Sequence, residues 1–303
     1  MNQDPDKVPA KEQVPAGEQV PAARRRLPVS CTIIACDEAD RIGRCIESVR
    51  DLVDDVVVVD SGSRDDTVAV AEAHGARVIF NAWPGYGPQK RFAEDAARHA
   101  WILSLDADEW LPREAREEIA ALFAQGEPAL AGFRFRIPTV YPGRARPRPF
   151  AGYHAHVRLY DRRRVRIPAS LVHDAITFDP ATMRLAKHPI HHESIRSLAH
   201  LVEKNIAYFH LQAVEMRRSK LTTLPRLLVE PVAVFAKYYF LRRHVTGGLF
   251  GLRYALTVAY IRSYRLAVLA GFFHARTEAT RLGLEAGRGA DAAQPPAQSR
   301  ATE

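Results

Sequence analysis

Between Pro28 and Arg136, apolar runs alternate with segments of helical spacing. Val29 to Ala35 is an apolar run that reads as a buried strand. Arg41 to Val53 places Ile42, Cys45, Ile46 and Val49 at the spacing of one helix face. Val56 to Val59 is four β-branched residues in a row, the pattern of a strand covered on both faces. A short helix over Asp66 to His74, stopped by Gly75, then leads to a strand at Arg77 to Phe80. Pro88 to His99 predicts a helix, Trp101 to Leu105 a strand, and Pro112 to Ala124 a helix with proline in its first turn. Phe133 to Ile137 is a further strand. This alternation predicts an α/β fold with helices on both faces of a mostly parallel sheet.

After Tyr141 the pattern changes. Residues 141–150 are rich in Pro and Arg and read as a loop, followed by short strands at His156 to Tyr160 and Arg164 to Ile167. From Ser194 onward the chain is mostly helical, with aromatic residues such as Phe235, Tyr238, Tyr239 and Phe240 beside Arg242 and Arg243. Aromatics on one face and arginines on another suit a helix lying in a membrane interface, although the same pattern serves an ordinary core helix. Gly247, Gly248 and Gly251 predict a flexible break within it. The organisation expected is a disordered tail over 1–27, an α/β domain over 28–200, a basic amphipathic helical region over 201–284 and a second disordered tail over 285–303. The first tail repeats Val-Pro-Ala at Val8, Val14 and Val20 between polar residues and has little to bury.

Composition narrows the class. Of 303 residues, 47% are hydrophobic and 26% charged, which excludes a wholly disordered or collagen-like chain. Three cysteines, Cys31, Cys36 and Cys45, are too few for a disulfide framework or a four-cysteine zinc site and point to a reduced setting. The N-terminus lacks the apolar core of a secretory leader. The longest uncharged run, Val78 to Gln89, is twelve residues, whereas a spanning helix needs about 18 or more. Between Leu201 and Thr280 there are twelve Lys/Arg against four Glu, a surplus equal to the net charge of the whole chain, +8. Phe133 to Arg166 adds ten Arg against one Asp. Such charge attracts nucleic acid, anionic lipid or phosphorylated ligands, and arginine in particular suits phosphate; a GC-rich genome would also raise the arginine count.

In an open parallel sheet, ligands sit beyond the carboxyl ends of the strands. After the predicted strands come Cys36-Asp37-Glu38, then Asp60-Ser61-Gly62-Ser63, then Asp106-Ala107-Asp108-Glu109, so acidic and small polar groups converge on one edge. Asp106 and Asp108, one residue apart past a strand, suit a divalent cation whose remaining positions go to water and substrate phosphate. The spacing alone proves little, since Asp4 and Asp6 in the tail share it; a strand-end turn with capping carboxylates is the alternative. Asp60 is placed to accept from a ribose or base edge, and Asp65 or Asp66 to cap the next helix. Lys90, closing the Gly/Pro-rich loop from Trp83, is placed near a diphosphate at a helix N-terminus. Asp174 in Val172-His173-Asp174 and the run His191-His192-Glu193 offer further acids and imidazoles. No His-Glu-x-x-His, Gly-x-Ser-x-Gly or Gly-x-Gly-x-x-Gly pattern is present, which sets aside zincin, serine hydrolase and nicotinamide-enzyme readings.

The run Cys31 to Val49, the segment Val56 to Ser63, the loop Gly85-Tyr86-Gly87-Pro88-Gln89-Lys90 and the stretch Trp101 to Glu109 together resemble the family 2 inverting glycosyltransferases. The branch with the lipopolysaccharide core β-1,4-glucosyltransferases is the most similar. The resemblance spans Pro28 to Phe273 and is looser after Tyr141. It implies a GT-A fold, a nucleotide-sugar donor such as UDP-glucose, and Mg²⁺ or Mn²⁺. It implies that Asp37, Glu38, Asp60 and Ser61 lie toward the donor's nucleoside, that Asp106 and Asp108 serve metal and diphosphate, and that His192 is a metal or diphosphate contact. Asp174 stands where the branch usually carries Glu after Val-His. Tyr153-His154-Ala155 and Thr246-Gly247-Gly248 depart from the family pattern.

On this reading Asp174 is the base that takes a proton from the acceptor hydroxyl, and inversion converts an α-linked donor into a β product. Arg158 and its neighbours would meet phosphates or acidic sugars of a glycolipid or oligosaccharide acceptor, or the membrane itself. The protein would be cytoplasmic, peripheral on the inner face of a bacterial cytoplasmic membrane, with no nucleic-acid partner. Two rivals use the same features: a nucleotidyltransferase or sugar-phosphate transferase with the same metal carboxylates, and a non-enzymatic basic module that binds anionic lipid.

Overall fold

The computed structural model describes residues 26–168, 176–215 and 220–272. Its centre is a seven-stranded sheet in the order β3-β2-β1-β4-β7-β6-β8. The strands are β1 (Leu27–Ala35), β2 (Val53–Asp60), β3 (Arg77–Phe80), β4 (Trp101–Asp106), β6 (Gly132–Pro138), β7 (Tyr153–Asp161) and β8 (Met183–Leu185). β1 pairs in parallel with both β2 and β4, and β2 with β3. β7 is reversed, antiparallel to β4 and to β6, and β8 returns to run parallel with β6. Two further short strands, β5 (Glu109–Trp110) and β9 (His191–His192), pair with each other just beyond the end of β4.

Alternation of side chains fills both faces. Ile33, Trp101, Leu103 and Phe133 pack with Ile42 of helix α1 (Ile42–Glu47), Ala71 of α2 (Thr67–Ala73) and Ile119 of α4 (Arg113–Leu122). On the other face Val57 and Val59 meet Ala93 of α3 (Tyr86–Ala96). Helices on both faces of a mostly parallel sheet are therefore present as expected. The buried acid Asp55 of β2 is satisfied by Ser30 at 2.8 Å, Arg77 at 3.1 Å and the Arg98 amide at 3.1 Å. Burial alone would raise its carboxyl, and these partners hold it below the usual range instead.

Several elements differ from expectation. α1 is six residues long, not thirteen, because Ser48 turns back to donate to the Cys45 carbonyl and the chain then turns through Leu52, whose amide donates to the Val49 carbonyl, into β2. Arg164 to Ile167 is not a strand. Arg166 pairs with Glu94 and Asp95, and the Ile167 carbonyl accepts from Arg91, so side chains of α3 take the segment that a sheet edge would have taken. α3 begins at Tyr86, which puts Lys90 in its second turn and not at the end of a loop.

The C-terminal part is helical: α5 (Leu198–Glu215), α6 (Lys220–Ala236), a π-helical turn over Lys237–Leu241 and α7 (Gly248–Leu269). The helical region does break ahead of α7, through a 3-10 turn over His244–Gly247 with Gly248 at φ 61° in open space, and Gly247 and Gly251 are in addition sites of close approach. A Cβ on Gly251 would lie 1.9 Å from the His244 carbonyl oxygen, and one on Gly247 would lie 2.5 Å from the Tyr141 ring. Tyr141 and His244 share a hydrogen bond of 2.5 Å between hydroxyl and Nδ1, and His244 stacks on Tyr254 with centroids 4.6 Å apart. Arg148 donates to the carbonyls of Arg242 at 2.8 Å and Arg243 at 3.0 Å, and Arg243 itself adopts φ 56°. The loop after β6 thus grips the helical region. Of the predicted tails, residues 1–25 and 285–303 lie outside the described residues, as do residues 273–284 of the expected helical region, while Leu27, placed in the first tail, opens β1.

Burial, with Arg148 and Arg242 nearby, lowers His244 to about 4. The unfolded chain protonates this imidazole near its ordinary value of about 6.5, so it binds more protons than the folded state between those limits. The contribution is fully present above about pH 6.5 and is lost as pH falls through about 4, to a total on the order of 3 kcal/mol. Wild type and His244→Gln, compared by thermal unfolding from pH 7 to pH 4, are expected to differ in slope, with the shallower acid loss in the variant. Parallel curves would remove His244 from the acid sensitivity.

Candidate active site

Strand β4 ends by delivering Asp106 to the lip of the sheet, and the turn that follows adds Asp108 and Glu109. Three acids so close need cations. Lys90 of α3 reaches Asp106 Oδ1 at 2.8 Å. Arg158 of β7 donates to Asp106 Oδ2 at 2.7 Å and to Glu109 Oε1 at 2.6 Å. Glu109 in turn accepts from the Asp106 amide at 3.2 Å. Lys90, Arg158 and Glu109 are 5%, 7% and 1% exposed, so this cluster is desolvated while Asp106 alone faces out. Burial opposes ionisation of Asp106, but Arg158 and Lys90 outweigh it and hold the carboxyl far below the usual range. Burial wins at Glu109, whose carboxyl is raised despite Arg158.

Asp108 points the other way. Its Oδ2 lies 3.1 Å from His192 Nε2 and 3.3 Å from Arg41 Nη1. The backbone sets this pairing: β9 places His192 opposite Glu109, and the Glu193 amide donates to the Asp108 carbonyl at 3.0 Å. Burial would lower the His192 imidazole, yet the carboxylates of Asp108, Glu109 and Asp106 carry it up to about 9. The Val140 amide donates to the His192 carbonyl at 2.7 Å, so the residue before Tyr141 steadies the strand that carries His192. Arg41 is 8% exposed and also pairs with Glu38 and donates to the Glu193 carbonyl at 2.9 Å. Burial raises the Glu38 carboxyl, Arg41 opposes this, and Asp108 adds to it. Arg196 joins Glu38 at 3.0 Å and Asp40 at 3.0 Å. Lys204 of α5 is lowered by burial, with Asp108 and Glu38 acting against that.

The predicted residues divide accordingly. Asp106, Asp108, His192, Lys90, Glu38 and Arg158 are brought together. Arg158, expected to face an acceptor or membrane, is buried between two carboxylates because β7 runs beside β4 and brings it there. Lys90, expected beside a diphosphate, has Asp106 as its partner. Asp37 adopts φ 54° and its carboxylate accepts from the Arg64 amide at 2.7 Å, tying the β1 loop to the β2 loop. Asp60 is 4% exposed and closes its own turn, accepting from the amides of Gly62 at 2.8 Å and Ser63 at 3.0 Å. Ser61 donates to the Ala35 carbonyl at 3.1 Å. Asp65, one residue before the N-cap Asp66 of α2, accepts from the Thr67 amide at 3.0 Å. His191 packs edge-on against Trp110. Asp174 lies outside the described residues. Arg41, Arg196 and Lys204 escaped the sequence reading: nothing local marks them, and only an argument for cations to balance the acids would have sought them.

Among the described residues no group of three or more His, Cys, Asp or Glu side chains is arranged to hold a metal ion. A smaller donor set is present. Asp108 and His192 present an oxygen and a nitrogen 3.1 Å apart, with Asp106 two residues away on the lip. The carboxylates of Asp108 and Asp106, with further positions left to water and phosphate oxygens, suit Mg²⁺ or Mn²⁺, and His192 would join them as a ligand by giving up the proton it directs at Asp108.

The family model described as glycosyl transferase family 2 matches residues 30–191. A protein of Rickettsia felis named "uncharacterized glycosyltransferase" is 36% identical over 251 residues, covering 80% of this chain and 89% of its own. The lipopolysaccharide core biosynthesis glycosyltransferase LpsC of Rhizobium meliloti is 35% identical over 114 residues, 36% of this chain and 42% of its own. Among solved structures, glucosyl-3-phosphoglycerate synthase from Mycobacterium tuberculosis, crystallised with Mn²⁺, UDP and glucosyl-3-phosphoglycerate, superposes with a TM-score of 0.37 at 20% identity, over 59% of this chain and 77% of that one. The chain belongs to glycosyl transferase family 2 and is a glycosyltransferase built on a mixed sheet.

Removing Arg158 would leave two carboxylates facing each other in a desolvated site. Arg158→Met is expected to destabilise the fold by about 3–5 kcal/mol, the cost of breaking a buried ion pair from one side. Urea denaturation of wild type, Arg158→Met and Arg158→Lys measures it, with the Lys variant intermediate because one ammonium cannot serve both acids as the fork does. A Met variant as stable as wild type would show that the cluster does not hold β7 to β4.

Proposed function

We propose that this family 2 glycosyltransferase transfers a hexose, glucose, from a UDP-sugar to a lipopolysaccharide-core or related glycolipid acceptor. The observation that carries the reading is the lip of β4, where Asp106 stands ionised between Lys90 and Arg158 while Asp108 faces His192. An inverting transfer needs charge on a departing diphosphate to be met and a proton to be taken from the acceptor hydroxyl. Asp108 and His192, with Asp106 beside them, are the residues that would hold a divalent cation. When bound, such an ion neutralises charge that develops on the leaving group.

The chain's own residues supply the rest. Lys90 and Arg158 fix the rotamer and ionisation of Asp106, so the acid needs no reorganisation when the donor arrives. Arg41, Arg196 and Lys204 add positive potential around Asp108 and Glu38. Asp37 and Asp60, at the ends of β1 and β2, border the place where an open sheet of this kind takes a nucleoside. For the base the proposal keeps Asp174, on the Val172-His173-Asp174 motif alone.

The membrane-facing expectation belongs here too. Among the described residues no helix is long and apolar enough to cross a membrane. α6 nevertheless exposes Leu228, Val229 and Val232 at 78%, 66% and 69%, which supports peripheral contact with the inner face of the cytoplasmic membrane, where a lipid-linked acceptor would be met.

A donor screen reading free nucleoside diphosphate, with Mg²⁺ or Mn²⁺ and lipid-linked acceptors, tests the reaction. UDP release with glucose appearing on the acceptor is expected; pyrophosphate or a nucleoside monophosphate as product would favour the nucleotidyltransferase or sugar-phosphate transferase instead. Asp108→Asn is expected to lower kcat by about 100-fold or more. Asp174→Asn should keep donor affinity and lose transfer, and full activity there would strike Asp174 from the mechanism.

A further inference from the structure

The chain passes from α6 into α7 through the π-helical turn and the 3-10 turn over His244–Gly247, and the loop after β6 packs on that junction. Two residues there, Phe150 in the loop and Arg243 in the turn, adopt φ 55° and 56°, a region that residues with a Cβ seldom enter. Arg148 holds both in place. It donates to the carbonyls of Arg242 and Arg243, and to that of Phe150 at 3.2 Å. Thr246 donates to the Pro149 carbonyl at 2.8 Å. This fastening leaves apolar side chains outside: Phe150, Phe240, Leu241 and Leu249 are 69%, 61%, 75% and 62% exposed. The Arg243 guanidinium lies over the Phe150 ring, 5.0 Å from its centroid, so loop and turn present one surface.

The charge of this surface is one-sided. Arg144, Arg146, Arg148, Lys237, Arg242 and Arg243 come from the two stretches that build it. No Asp or Glu lies between Glu127 and Asp161, or between Glu230 and Glu278, so neither stretch carries an acid of its own. Among the described residues none of the six cations forms an ion pair; Arg242 and Arg243 lie over the rings of Tyr238 and Phe150 instead. Exposed apolar groups ringed by cations without counter-ions match an anionic bilayer, whose interface takes in aliphatic and aromatic side chains and offers phosphates around them. Nucleic acid would answer the arginines and stack on the phenylalanines, but it would leave Leu241 and Leu249 in water. A second copy of the chain would set like charges against each other. We propose that the α6–α7 junction, with the loop 141–150 packed on it, is the surface by which this protein docks on an anionic membrane. This rests on the membrane-surface reading above and moves the contact from the flank of α6 to its C-terminal end. The junction is fastened close to the candidate site: Tyr141 bonds His244, and the preceding residue, Val140, donates to the His192 carbonyl. Docking there brings the strand of His192 to the bilayer, where a lipid-linked acceptor displays its sugar.

The full chain, sedimented with vesicles of phosphatidylcholine alone or mixed with phosphatidylglycerol, provides the test. Wild type is expected to prefer the mixed vesicles. Leu241→Ser with Leu249→Ser should weaken that binding about 10-fold or more, the effect of withdrawing one fully buried leucine or two half-buried ones. Arg144→Gln with Arg146→Gln should weaken it about 25-fold on mixed vesicles, at about 5-fold for each charge at an anionic surface, and leave binding to phosphatidylcholine unchanged. Phe80→Ser, exposed at the end of β3 on the opposite edge of the sheet, should have no effect. Leu241→Trp keeps the surface apolar and guards against misfolding; relative to wild type, its added emission should shift to the blue on mixed vesicles. Unshifted emission there would overturn the proposal, as would leucine and arginine pairs that bind like wild type, or equal binding of wild type to both vesicle types. If the junction pairs bind like wild type while Leu228→Ser with Val229→Ser binds weakly, the contact lies on α6 and the membrane reading stands without the junction. Wild type that binds neither vesicle removes both. Concentration-dependent dimerisation without vesicle binding would overturn the proposal in favour of a second copy, and oligonucleotide binding without vesicle binding in favour of nucleic acid. Nucleoside diphosphate release without vesicles, measured on the same proteins, should be the same in wild type and the leucine pair; its absence in wild type counts against the sugar-transfer proposal and leaves the vesicle result standing.

Discussion

The pairing of Arg158 with both Asp106 and Glu109 is the contact on which the arrangement of the site depends. A parallel sheet gathers the ends of its strands, and here three of those ends carry acids. Carboxylates within a few ångströms of one another in a desolvated lip would neutralise by taking up protons unless cations reach them. The fold answers with a reversed strand. Because β7 runs antiparallel to β4, it passes beside the acidic end and supplies a guanidinium from within the sheet. Lys90 arrives from the opposite face on α3, and Arg41 from the start of α1. Asp106 is thereby kept as an anion, whereas Glu109, with Arg158 as its cation but deeper, is pushed toward its neutral form.

The helical region is tied into the same site and does not simply follow it. Val140 holds the strand of His192 by its amide, and the next residue, Tyr141, is held by His244. Lys204 of α5 adds a cation within the influence of Asp108 and Glu38. A displacement of α7 would therefore be felt at the β6 loop before it reached any acid. The glycines at 247 and 251 are needed because this grip brings backbone and ring within the space of a methyl group.

The sequence disclosed those parts whose cause is local. Val56 to Val59 announced a buried strand, and the acids after β1, β2 and β4 announced the edge at which acids and their cations cluster. Asp106 and Asp108 stood out from the same spacing in the tail only through the strand before them. What stayed hidden depends on long-range pairing. Lys90 and Arg158 read as groups awaiting a ligand, since no local pattern shows that they face Asp106 across 16 and 52 residues of chain. That Asp60 closes its own turn was equally hidden, because a turn that engages its own carboxylate looks the same on paper as one that does not. Arg164 to Ile167 has strand composition, yet Glu94, which is fully buried, draws Arg166 and the Ile167 amide away from the sheet.

Charge balance at the lip bears on what it can receive. Glu38, Asp40, Asp106, Asp108 and Glu109 face Arg41, Lys90, Arg158, Arg196 and Lys204, with His192 raised well above its ordinary value beside them. The acids are thus matched or exceeded by cations, and Glu109 is partly discharged by burial. A site of acids alone would repel a diphosphate; one whose acids are already compensated, and whose cations are fixed by those acids, offers an anion a preorganised positive field at little cost in side-chain ordering. The same carboxylates that look like the purpose of the motif therefore also act as the frame that aims its cations, and a variant at Asp106 would disturb Lys90 and Arg158 as much as any contact Asp106 makes itself.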